Sequence, residues 1–202
     1  MTSWRLASWT GLDETLLRRK TPGDGSCLIH SILYCISQTY RSFDSPGRST
    51  MTRNIRDEMA DLIPKYWDKV AVNKELRDIV DAAIKSGNED DLDPDILAQY
   101  SMANVIKELR CDSYLNETLV VYLSILFNIN IIVYSLQEEK QYFLGTELIV
   151  DYNKQSTVLV AYIGGHFETM GQKLDNENVL LIFSNQHPTI KHILKLAKKE
   201  IK

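Results

Sequence analysis

"PGDGSCLIHSILY", residues 22–34, sets Cys27 where a turn-forming run meets an apolar helical pattern. Leu28, Ile29, Ile32, Leu33 and Ile36 recur at helical spacing, which predicts a helix opening at Cys27 with Ser26 as its N-cap. Three readings of Cys27 are open: a packed thiol, a zinc ligand with His30, or a nucleophile. Zinc needs three or four ligands, and no second Cys/His pair stands at ligand spacing. A packed cysteine needs no glycine turn before it. A nucleophile gains from one, because a helix N-terminus stabilises a thiolate and the amides of the turn can converge into an oxyanion hole. The turn favours attack.

A nucleophilic thiol needs a base. Of the four histidines, His30 lies one helical turn along with no evident orienting partner, and His192 sits among lysines on the last helical pattern. His187 precedes Pro188 and suits helix entry. His166 follows Gly164-Gly165 and opens "HFETM", residues 166–170. If that run is extended, His166 and Glu168 point to one face, and Glu168 could orient the ring as the third member of a triad. Asn185 or a backbone carbonyl are the other candidates for that task.

The rest of the chain predicts helices first and strands second. Residues 12–20 read as a strand or irregular lead-in and 42–50, with Pro46 and Gly47, as a loop. Helices are expected over 51–62, ended or kinked at Pro64, over 73–86, stopped by Gly87, and from Pro94 to about 109. A further helix, capped by Asn116, covers "ETLVVYLSILF". Strands are expected over 129–136, 141–150, 157–163, 166–170 and 178–183, before an amphipathic helix over 188–201. This is an α+β pattern, with a small central, mostly antiparallel sheet packed between helices.

A chain of 202 residues suits one domain. Residues 1–175 would form the catalytic domain, with a core at about 15–170, and 176–202 a strand-and-helix extension packed on it. The net charge of −4 argues against nucleic acid as main partner, and no apolar run is long enough to span a membrane. The start, Met1-Thr2-Ser3-Trp4-Arg5, lacks an apolar leader, and three cysteines cannot all pair; both suggest an intracellular, cytoplasmic setting. The lysines of the last helix suit a solvated face, with an acidic partner or a membrane surface as the alternative.

Three motifs in order resemble the ovarian-tumour (OTU) family of cysteine proteases. "PGDGSCLIHSI" is similar to its nucleophile motif, and "GGHFETM", residues 164–170, to its His-aromatic-acid motif. "YLNETLVVYLSILFNINIIVY", residues 114–134, is similar to its middle block. The resemblance implies a papain-type fold and a deubiquitinase without metal or cofactor. It would act on ubiquitin, polyubiquitin chains and ubiquitinated proteins, or on a ubiquitin-like modifier. It also implies Cys27 as nucleophile, His166 as base, Glu168 as acid and Asp24, Gly25 and Ser26 as the oxyanion loop, with Asp24 counted among the catalytic groups. Tyr114, Gly164, Gly165 and Phe167 would line the substrate channel, with Phe167 partly buried. The tail is similar to those of OTU-like proteins of large DNA viruses, which implies a viral protein acting in host cytoplasm against immunity. A catalytically dead ubiquitin-binding module is the competing expectation.

Overall fold

The computed structural model describes residues 3–7, 15–70, 74–111, 115, 118–137, 140–144, 156–175 and 178–200. The helical pattern opening at Cys27 becomes α1 (Cys27–Ile36), its apolar side buried against the sheet. Short α2 (Gln38–Ser42) leads to α3 (Ser45–Val70), α4 (Lys74–Ser86), α5 (Pro94–Tyr100), α6 (Met102–Arg110) and α7 (Thr118–Leu126).

Three helix boundaries differ from expectation. Residues 45–50 are the first turns of α3: Asp44 Oδ1 accepts the Gly47 amide at 2.9 Å, and Pro46 needs no donor so near a helix start. Pro64 lies inside α3 without ending it. The helix expected from Pro94 to about 109 is two, because Ser101 is extended and its hydroxyl caps α6 through the Asn104 amide. Capping by Asn73 and Asn116 falls outside the described residues.

The strands are β1 (Arg5–Leu6), β2 (Leu16–Arg19), β3 (Asn130–Gln137), β4 (Lys140–Leu144), β5 (Ser156–Ile163), β6 (His166–Lys173), β7 (Val179–Leu180) and β8 (Phe183–Ser184). They form one sheet in the order β1-β2-β6-β5-β3-β4, with β7 on β6 and β8 on β5. Every pair is antiparallel except β3–β5, which is parallel, with β4 between them in the chain and paired to the other edge of β3. The expected strand over 178–183 is instead two short pairings with different partners, because the chain leaves β6 after Leu180 to reach β5 at Phe183. Residues 145–150 of the expected 141–150 strand lie outside the described residues.

Alternation along the central strands explains two cores. Ile131, Val133, Val158, Val160 and Phe167 pack with α1, α3, α6 and α7. Ile132, Tyr134, Leu159, Ala161 and Met170 face the other way, onto Ile190 and Ile193 of α8 (Pro188–Glu200). The sheet thus lies between helical layers, as the α+β pattern predicts. His187 Nδ1 accepts the Thr189 amide at 3.3 Å, the helix-entry role expected of it.

Candidate active site

The site forms where the N-terminus of α1 meets the start of β6. The chain enters from β2 through Thr21 and a turn in which Gly25 takes a φ of +80°, a conformation glycine adopts without steric cost. Cys27 follows as the first residue of α1, 2% exposed. Although 139 residues separate Cys27 and His166 in sequence, the Phe167 amide, one residue after His166, is near enough to the Cys27 thiol to lower its pKa. Packing fixes this approach: α1 lies along β6, and Thr169 of β6 donates to the Ser31 carbonyl of α1 at 3.2 Å.

Burial raises the Cys27 thiol above its ordinary value, and the Asp24 charge adds to this. The amides of Phe167, Leu28 and Cys27 itself pull it down without overcoming burial. At neutral pH the resting group is a thiol, and attack requires a base to take its proton.

The group on the His166 ring is Thr21. Its hydroxyl lies 3.3 Å from His166 Nε2 and donates its single proton to the Phe167 carbonyl at 2.5 Å. The oxygen is therefore left to accept from Nε2–H, which assigns the tautomer and leaves Nδ1 as the basic nitrogen. Glu168, expected in this role, is engaged elsewhere: its Oε2 accepts from Arg18 Nη1 at 2.7 Å. The cause is sheet register. Arg18 pairs with Met170 across β2–β6, so it stands diagonally beside Glu168 on the same face and satisfies the carboxylate. Asn185 is also occupied, its Oδ1 accepting from Thr157 Oγ1 at 2.6 Å and Asn130 Nδ2 at 3.2 Å.

His30 does have a partner, contrary to expectation. It is fully buried, with Nε2 2.9 Å from Asp24 Oδ2 and Nδ1 2.6 Å from the Tyr40 hydroxyl. Nε2–H donates to the carboxylate and Nδ1 accepts from Tyr40, so neither nitrogen is open to zinc. Burial holds His30 below its ordinary pKa despite the raising influence of Asp24. Burial pushes the Asp24 carboxyl up, but the His30 contact and the Ser26 amide prevail and hold it below its usual value.

The sign for stability follows. The unfolded chain protonates His30 at about 6.5 and the folded chain only lower, so stability falls as pH drops below about 6.5, by at most about 1.4 kcal/mol per pH unit. His30→Gln, which can keep both hydrogen bonds without titrating, is expected to flatten the urea midpoint between pH 7 and 5; equal slopes in both proteins would contradict this.

The loop before Cys27 uses its amides unequally. Ser26 N–H is held by Asp24 Oδ1 at 3.1 Å, and the Ser26 side chain makes no cap contact at the start of α1. Among the described residues nothing accepts from Gly25 N–H. Gly25 and Cys27, rather than Ser26, are thus the available donors. Gly164 and Gly165 form the β5–β6 turn with φ of +55° and +82°, where other side chains would be strained. Phe167 is buried rather than partly buried, its ring 4.8 Å from that of Tyr162. Tyr114 lies outside the described residues.

Cys35 is buried, its thiol pushed up to about 12, and Cys111 is exposed. Among the described residues no three His, Cys, Asp or Glu side chains converge on a metal position, and no helix is long and apolar enough to cross a membrane.

The described geometry brings the start of α1, with Cys27, beside the start of β6, with His166. No protein-family model and no curated protein matches the chain. Among solved structures, it is similar to an OTU domain in complex with ubiquitin, at 17% identity over 91% of this chain and 84% of that one, with a TM-score of 0.48. It is also similar to the viral OTU domain protease from Farallon virus (12% identity, 85% and 98% covered, TM-score 0.49). An OTU deubiquitinase from Wolbachia pipientis wMel is similar at 15% identity, with 82% and 93% covered and a TM-score of 0.45.

Proposed function

We propose that this chain is an OTU-type cysteine protease that hydrolyses isopeptide bonds at the C-terminal glycine of ubiquitin. One observation carries the enzymatic part: β6, at whose start His166 lies 3.3 Å from the Thr21 hydroxyl, packs along α1, which opens at Cys27. The order of the three OTU-like motifs supports ubiquitin, in polyubiquitin chains or on other proteins, as the substrate class.

In this reading His166 Nδ1 takes the Cys27 proton as sulfur attacks the glycine carbonyl carbon. The amides of Gly25 and Cys27 receive the developing oxyanion. On collapse the carbon–nitrogen bond breaks, and His166 gives its proton to the departing lysine amine. Water, deprotonated by the same ring, then hydrolyses the thioester, releasing a carboxylate and the thiol. A cavity of about 520 Å³ opens beside the loop, lined in part by Asp24, Ser49 and Arg53.

The test is release of a fluorophore from a ubiquitin C-terminal amide, which the proposal requires of the wild type and which a peptide of the same last residues should not match. The Glu168–Arg18 pairing and the buried thiol favour one second reading, a binding module without turnover. Ubiquitin binding with no release would establish that reading instead.

Thr21→Val removes the hydroxyl at nearly constant volume and is expected to lower kcat by about 10- to 100-fold, the scale of losing an orienting partner. Thr21→Ser should recover most of it. Glu168→Gln should cost activity mainly through stability, with kcat of the folded protein within about threefold, because its partner is Arg18. The opposite ranking would restore Glu168 as the orienting group.

A further inference from the structure

Arg56, on α3, is fully buried, the bulkiest side chain so enclosed among the described residues. An arginine enters a protein interior only where its charge and donors are accommodated. Here they are shared between two distant pieces of backbone. Nε donates to the Leu109 carbonyl at 2.9 Å, and Nη2 to the carbonyls of Glu108, at 2.6 Å, and Cys111. These oxygens lie at the C-terminal end of α6, where the helix dipole is negative, and the Glu108 carbonyl also accepts the Cys111 amide at 3.3 Å. Nη1 reaches the other way, to the Gly25 carbonyl and the Ser26 hydroxyl, each at 3.2 Å.

The Gly25–Ser26 peptide is consequently held at both edges. Arg56 takes its carbonyl, and Asp24 Oδ1 takes its N–H. Gly25 sits at a φ of +80°, so no side chain of its own restrains the loop. The orientation of this peptide sets the direction of the neighbouring Gly25 and Cys27 amides. Ser26, diverted from capping α1, spends its hydroxyl on Arg56.

We propose that Arg56 is a positioning residue for the oxyanion loop, fixing the Gly25–Ser26 peptide against the C-terminal end of α6 so that the Gly25 and Cys27 amides face the reacting carbonyl. This rests on the acyl-transfer reading above. It adds a residue that touches neither substrate nor sulfur, yet governs transition-state stabilisation.

Arg56→Lys keeps a charge and loses the fork that spans both pieces of backbone. In the folded variant kcat on the ubiquitin amide is expected to fall about 100-fold with KM nearly constant, since a displacement of about 1 Å costs that much. The pH dependence of Cys27 alkylation should be unchanged. Hydrogen exchange at residues 22–27 should rise about tenfold, with β5 unaffected.

If Arg56→Lys does not fold, Ser26→Ala, which removes one acceptor and leaves the others, is expected to show the same pattern at about three- to tenfold. Exchange over 22–27 at the wild-type rate in the folded variant, or a rise in KM with kcat intact, would overturn the proposal. A wild type without turnover would remove the ubiquitin reading alone, because the exchange measurement still reads the loop.

Discussion

Cys27→Ala is expected to abolish hydrolysis of a ubiquitin C-terminal amide, by about 10⁴-fold or more, as loss of a covalent nucleophile does. The fold should tolerate the change. Cys27 is buried at the first position of α1, and alanine there removes one sulfur atom while preserving the helix start. Affinity for ubiquitin should therefore persist, and the variant should trap substrate without turning it over. Steady-state kinetics beside a binding isotherm check this. Residual activity within tenfold of wild type would mean that the thiol is not the nucleophile. Cys35 cannot replace it: its thiol is enclosed in α1 and pushed up to about 12.

His166→Ala should be nearly as damaging near neutral pH, with an expected loss of about 10³- to 10⁴-fold, the upper range for removing a general base. Burial explains the size. The Cys27 thiol is raised above its ordinary value, so little thiolate exists without a base to take its proton. That same displacement supplies a signature. The residual rate of His166→Ala should climb about tenfold per pH unit until it reaches the raised thiol value, because only prior ionisation then produces the nucleophile. A residual rate flat from pH 7 to 9 would mean that the thiolate is already formed in the resting protein and that His166 serves another purpose.

Cys27 and His166 stand out in the sequence because each carries a local signal. Cys27 joins a glycine turn to an apolar helical pattern, and His166 follows a Gly-Gly turn at the start of a strand. Their partners had none. Thr21 is one hydroxyl in a connector, and it reaches His166 only through the pairing of β2 with β6, between segments about 150 residues apart. The same pairing brings Glu168 to Arg18. Alternation correctly places residues 166 and 168 on one face, but nothing local announces that Arg18 will stand diagonally opposite. His30 read as unsupported because Tyr40, on the next helix, was unseen as its partner. Arg56 was invisible for a thermodynamic reason: a charged residue on a helix is ordinarily solvated, and its burial rests on acceptors brought together from the end of α6 and from the Gly25–Ser26 turn.

The helix boundaries divide in the same way. Gly87, at a φ of +72°, ends α4 as its sequence position suggests. Pro46-Gly47 has the look of a loop, yet proline is compatible with a first helical turn and Asp44 supplies the cap. Local chemistry permitted both outcomes, and packing of α3 under α1 and α7 selected the helix.

In the proposed reaction Cys27 attacks the C-terminal carbonyl of ubiquitin. Ubiquitin carrying an electrophile in place of its last carbonyl tests this directly, read by intact mass and by mapping the modified peptide. One added ubiquitin is expected, attached at Cys27 and absent in Cys27→Ala. No adduct, in a protein whose Cys27 is still alkylated by iodoacetamide, would contradict it, as would attachment at the exposed Cys111.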